Sequence, residues 1–255
     1  MDILLAIILG LLCATLVNYL SDVLPVRRKL AAPTCAACEA PFQAFNYLTL
    51  AACHVCGTRR AIRTYVVLIS GILIAFILWM WPPAMGFWLA LVILTYFGVV
   101  TVIDIEHRLI MHVVSLAGAI LFVPIGISLH GWQSTLLGGL VGGGVMLVFY
   151  FAGTLFAKYR AKKLGTDDDE EALGFGDVTI STVLGLLVGF PNVVLTLLLG
   201  ILLGGLVSLL MIVGLTLLRR YDPMNVFTAY GPFLIAGATL MLFFRETVLK
   251  MLFGG

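Results

Sequence analysis

The chain has 255 residues, of which 62% are hydrophobic and 11% charged, with a formal net charge of +2. Mean hydropathy is +1.13. Ordinary soluble domains carry roughly a quarter charged residues, so a soluble globule is excluded. The small net charge gives no reason to expect a nucleic-acid partner. The apolar runs are continuous rather than alternating, which excludes a transmembrane β-barrel, and they recur along most of the chain. The expected fold is an all-α polytopic membrane protein whose main surroundings are membrane lipid.

In chain order, the apolar runs and polar breaks predict about eight transmembrane helices over 3–24, 64–81, 86–104, 110–129, 134–157, 177–190, 192–218 and 227–245. The sixth is short, and the seventh is long enough to tilt. Asp2, and the lack of Lys or Arg before the run that opens at Ile3, do not fit the positive n-region of a cleavable leader. The first run is therefore expected to stay as a span. The organisation that follows is a first transmembrane helix over 1–24, a cytoplasmic loop over 25–63 and a seven-helix membrane region over 64–255.

Orientation follows from the basic residues. Arg27, Arg28, Lys29, Arg59, Arg60 and Arg63 fall in the first loop, Arg108 in the third, Lys158, Arg160, Lys162 and Lys163 in the fifth, and Arg219 and Arg220 in the seventh. The even-numbered loops hold none. The positive-inside rule makes the basic face cytoplasmic and places both termini outside, with Arg245 and Lys250 in the C-terminal tail as exceptions.

Cys35-Ala-Ala-Cys38 and Cys53-His-Val-Cys56 are two C-x2-C knuckles within the first cytoplasmic loop. Each turns two thiolates toward one point, and four thiolates make a closed tetrahedral zinc site. A closed site keeps no position for water, so the zinc is expected to be structural, supplying folding energy that so short a loop lacks. A thioredoxin-like redox role is the alternative, without the βαβ pattern that would accompany it. His54 is read as a bystander and Cys13 as a small core residue.

Asp104 closes the third span and Asp177 opens the sixth, both at the cytoplasmic side of this topology. An ionisable residue in or beside a span is a functional-site hypothesis by default. A pair of carboxylates sharing a site is what amide hydrolysis by two acids requires, and such a pair titrates together. The plainer alternative is that each Asp only caps a helix. Gly174 and Gly176, with Asp177, form a GxGD motif. A further reading is non-enzymatic: a transporter or assembly scaffold using the same carboxylates to bind protons or cations. Glu106 and His107 are expected to face headgroups or cytoplasm, with a supporting active-site role as the alternative, and His112 and His130 to be structural or interfacial. The acidic run 167–171 reads as a solvated loop. Gly138, Gly139, Gly142, Gly143 and Gly144, with Gly200, Gly204 and Gly205, are expected to be helix-packing surfaces.

Four local patterns, in this order, resemble the type IV prepilin peptidases, membrane aspartyl proteases of the GxGD type. They are the loop with two C-x2-C pairs, the segment Val102–Ile110 around Asp104, Gly174–Asp177, and Tyr230–Gly237 in the last span. The resemblance implies an aspartic endopeptidase of the bacterial inner membrane that removes the basic leader of prepilin or pseudopilin substrates in type IV pilus and type II secretion assembly. It implies Asp104 and Asp177 as catalytic residues, with Gly174 and Gly176 as motif support. It also implies S-adenosylmethionine as a cofactor if N-methylation of the mature pilin is retained. The departures concern that second activity. The family's N-terminal Gly-Ser-Phe-Leu-Asn stretch is Ala14-Thr15-Leu16-Val17-Asn18 here, and the Glu ahead of the second span's Thr-Gly is Val67. Met111 stands where the family has proline and Thr179 where it commonly has lysine.

Overall fold

The computed structural model describes residues 2–164, 174–217 and 229–254. The described chain is all-helical, with one isolated antiparallel bridge between Thr34 and Pro41. The expected acidic run 167–171, together with Arg219 and Arg220, lies outside the described residues. Among the described residues, six helices are long and apolar enough to cross a membrane. Their outward faces carry large apolar side chains such as Leu4, Ile120 and Leu140; exposed apolar surface on this scale marks lipid rather than water. The helices group into two compact units, Met1–His107 and Arg108–Gly255.

The first unit holds α1 (Ile3–Arg27), α2 (Ala44–Leu48), α3 (Ile62–Met80) and α4 (Phe87–His107). The α1/α3 crossing is antiparallel and rests on matched small residues. A Cβ on Gly10 would lie 2.7 Å from Ala75 Cβ, and one on Gly71 would lie 2.6 Å from Ala14 Cβ. Each helix thus presents a Gly-xxx-Ala step to its partner, the spacing that lets membrane helices approach closely without a hydrophobic driving force. Asn18 Nδ2 donates to the carbonyl of Thr64 at 3.2 Å, fastening the same pair near the start of α3.

The second unit holds α5 (His112–His130), α6 (Trp132–Leu164), α7 (Phe175–Val188), α8 (Asn192–Leu217), α9 (Gly231–Phe243) and α10 (Arg245–Phe253). The short α7 is its centre, packed by α5, α6, α8 and α9. Ten of its 14 residues are buried, as expected of a helix that is hydrophobic all round. The α6/α7 contact is backbone against backbone: a Cβ on Gly138 would sit 2.2 Å from the carbonyl oxygen of Gly185, and one on Gly185 equally close to that of Gly138. Gly139, Gly142, Gly143, Gly200 and Gly204 also meet neighbours closely, as expected, whereas Gly144 and Gly205 face open space.

The expected last span, 227–245, breaks near its end. The helix runs Gly231–Phe243, and α10 leaves it at 100°. Arg245 and Glu246 put charge where the apolar run would continue. With the broken pair and the 14-residue α7, the observed segments account for the expected spans.

Candidate active site and metal centre

The four loop cysteines converge. Their sulfurs all lie within 4.8 Å of one another, with Cys35–Cys56 and Cys38–Cys53 separations of 3.6 Å each. Four sulfurs at about 2.3 Å from a tetrahedral zinc are ~3.8 Å apart, so the spacing fits one metal ion. The two knuckles share one backbone plan. Cys35 N–H donates to Ala40 O at 2.9 Å and Glu39 N–H to Cys35 O at 2.8 Å; Cys53 N–H donates to Thr58 O at 3.0 Å and Gly57 N–H to Cys53 O at 2.8 Å. The residue after each second cysteine is left-handed, Glu39 at φ 58° and Gly57 at φ 70°.

The thiols are unequal. Cys56 is pushed down to about 6, first by the Thr58 hydroxyl and then by the Thr58 backbone. Backbone donors at Cys56 and Val55 lower Cys53. The Ala40 backbone favours thiolate at Cys38, but hydrogen bonds to neighbouring sulfurs and burial outweigh it and push that thiol up to about 12. This is a site where cysteines share protons that a cation would displace. His54 is exposed and outside the cluster.

Asp104 lies in the last turn of α4, three residues before its end at His107, and is 4% exposed. Asp177 is the third residue of α7 and 8% exposed; its N–H donates to Gly174 O at 3.0 Å. Gly174, not Asp177, occupies the N-cap of α7. Asp177 still benefits from the positive end of the helix dipole. Asp104 belongs to the first unit and Asp177 to the second.

The GxGD segment is built by its neighbours in the second unit. A Cβ on Gly176 would fall 2.7 Å from Ile110 Cβ, so the second glycine lets Ile110, the last residue of the segment around Asp104, lie against the start of α7. Phe175 is held edge-on by His112 and Tyr150, with ring centroids 6.3 and 5.9 Å away. Thr179 donates to Gly176 O at 2.8 Å and pairs with Ser115 at 3.1 Å. Tyr230 stands at the N-cap of α9.

One cluster of charges is assembled only by the fold. Asp22 accepts a hydrogen bond from Tyr47 OH at 2.6 Å, pairs with Arg60 at 3.4 Å and also with Arg63, and Arg63 pairs in turn with Glu106. An acid at the polar end of an apolar helix, followed by an Arg-rich return to the membrane, was the available signal.

Residues 91–209 match the model of the type IV leader peptidase family. A curated relative, the prepilin leader peptidase/N-methyltransferase of Pectobacterium carotovorum subsp. carotovorum, is 32% identical over 158 residues, covering 62% of this chain and 52% of that protein. The aligned stretch thus spans about half the length of the relative. No solved structure matches the chain. Asp104, Gly174, Gly176 and Asp177 all fall within the matched residues 91–209, and through that segment the chain is similar to the type IV leader peptidase family.

Proposed function

We propose that this protein is an aspartic endopeptidase that removes the basic leader of prepilins or pseudopilins at the cytoplasmic face of the bacterial inner membrane. The observation that carries the reading is the burial of Asp104 and Asp177, at 4% and 8% exposure, on apolar helices inside the family segment. Ile110 adds support: it follows Asp104 by six residues in the sequence and packs on Gly176 of the GxGD motif.

One carboxylate, ionised, takes a proton from water as the oxygen attacks the scissile carbonyl. The other, protonated, hydrogen-bonds to that carbonyl oxygen and then delivers its proton to the departing amine as the C–N bond breaks. The two like charges are not ionised together cheaply, which keeps one proton between them. A substrate whose apolar helix lies in the bilayer presents its leader–helix junction at this depth, so bilayer and carboxylates together fix the cleaved bond. The family match weighs against the transporter or scaffold reading.

The tetracysteine loop, 25–63, binds one structural zinc ion in this reading, held by Cys35, Cys38, Cys53 and Cys56, and leaves no position for water. The relative's name includes N-methyltransferase; for this chain, Val67 and the Ala14–Asn18 stretch argue that use of S-adenosylmethionine is weak or lost. The distribution of basic residues supports a topology with both termini outside.

The test is incubation of the purified protein, in detergent or lipid, with a prepilin carrying its leader. Mass spectrometry should show a single cut between leader and apolar helix. An intact prepilin after prolonged incubation contradicts the proposal.

A further inference from the structure

A continuous path of contacts joins the cysteine loop to the end of α4. Cys35 and Cys53 pack with Phe42 and Tyr47 in the core of the loop. Arg60 lies 3.9 Å over the ring of Tyr47 and 4.7 Å over that of Phe42, a cation held between two aromatic faces. Tyr47, Arg60 and Arg63 all converge on Asp22, and Arg63 then reaches Glu106. Two cations face two carboxylates, so the group is internally neutral. The side chains of Arg60, Asp22 and Arg63 are only 9%, 18% and 19% exposed, and Glu106 is 35% exposed. The pairs that Asp22 makes lie largely out of water and hold more firmly than surface pairs, whereas the Arg63–Glu106 pair is open to solvent on its Glu106 side; loss of Arg63 or Asp22 strands a charge.

The last turn of an α-helix is its weakest, because its final carbonyls lack partners within the helix. In α4 that turn is Asp104–His107, and it contains the buried carboxylate. Arg63 grips it at Glu106, and a cation there also suits the negative end of the helix dipole. At about 100° per residue, positions 104 and 106 point roughly 200° apart. Glu106 therefore faces away from whatever Asp104 touches and acts only through the backbone of the turn.

We propose that Arg63 is a positioning residue: by clasping Glu106 on one side and Asp22 on the other, it fixes the last turn of α4, and with it Asp104, to the cysteine loop. The proposal rests on the two-aspartate reading for its effect on cleavage. Its structural half, the order of the turn, stands independently.

The experiment compares wild type with Arg63→Gln, Glu106→Ala, Arg63→Lys and Asp104→Asn, each as purified full-length protein. It measures kcat and KM on a synthetic prepilin leader peptide together with backbone amide exchange along α4. Arg63→Gln and Glu106→Ala should lower kcat roughly 10- to 100-fold, the scale of a small misplacement of a reacting group, with KM changed less than about threefold. Amide exchange over 104–107 should rise about tenfold in both, while the 35–56 segment in Glu106→Ala stays as in wild type. Arg63→Lys, which keeps the charge but not the fork, should recover part of kcat. Glu106→Ala leaves the Asp22 side of the clasp in place, so a folding defect in Arg63→Gln does not decide the outcome. Unchanged exchange at 104–107 in Glu106→Ala, or a loss confined to KM, overturns the proposal. Should Asp104→Asn cleave normally, the two-aspartate reading fails while the exchange result still judges the clasp.

Discussion

Glu39 and Gly57 occupy the same backbone position in the two cysteine knuckles, at φ 58° and 70°. Each donates its N–H to the carbonyl of the first cysteine of its own knuckle, at 2.8 Å in both. The left-handed conformation suits glycine and costs other residues roughly 1–2 kcal/mol. Glu39 is exposed and has little packing to lose. Glu39→Gly should therefore stabilise the metal-loaded loop by about 1 kcal/mol. Gly57→Ala should destabilise it by a similar amount, although nothing lies within 4 Å of the added Cβ. Chelator concentrations needed to strip the metal from the two variants read the difference; equal values in both would contradict the shared plan.

The four thiols should behave differently with and without metal. As isolated, the protein should hold one zinc per chain and resist alkylation at all four cysteines. After chelation at neutral pH, Cys56 should react first, because it is exposed and its thiol sits at about 6; thiolate, not thiol, is the nucleophile. Cys38, pushed up to about 12, should lag. The sign is set by the direction of each shift: lowering the pH toward 6 slows Cys56, whereas raising it speeds Cys38. Absence of zinc with four freely reactive thiols in the native protein contradicts the metal centre.

Two glycines of α6 should respond in opposite directions. Alanine favours a helix over glycine by about 1 kcal/mol, and Gly144 has open space for a Cβ, so Gly144→Ala should be neutral or stabilising. At Gly138 the Cβ meets a backbone oxygen at 2.2 Å. Overpacking costs about 1–3 kcal/mol, and a backbone atom cannot swing aside, so Gly138→Ala should lower thermal stability. Thermal unfolding of the two variants in one detergent decides the matter, and equal midpoints would contradict the α6/α7 geometry.

The helices were legible in the sequence because a membrane span is a matter of length and composition. The observed α3, Ile62–Met80, lies within two residues of the expected 64–81. The break at Phe244 was less visible, since one Arg-Glu step in an apolar tail reads as an ordinary span end. The cysteine cluster was legible because spacing alone brings its ligands together. The Asp22–Arg63–Glu106 chain was not: its members lie 41 and 43 residues apart, and only the folded loop brings them into contact. The glycine pattern gave the crowded face of α6, but the Gly185-xxx-Gly189 step that meets Gly138 from the other side was not read.

Methylation should be weak or absent. Val67 offers no carboxylate where the family has Glu. Asn18, kept from the family stretch, already donates its amide to the Thr64 carbonyl at 3.2 Å. With S-adenosylmethionine supplied, pilin processed by this protein should carry an unmodified N-terminus; a stoichiometric methyl group there would overturn this expectation and assign the chemistry to other residues.

The most direct test of the account is cleavage by Asp104→Asn and Asp177→Asn, each shown by thermal unfolding and metal content to fold as wild type does. Asparagine keeps the shape and most hydrogen bonds of aspartate but neither accepts a proton from water nor gives one to the leaving amine. The prediction is a loss of at least roughly a thousandfold in kcat for each variant alone, with the double variant little worse than either, as for residues that act as a unit. Either single variant processing prepilin within about tenfold of the wild-type rate would contradict the two-aspartate mechanism.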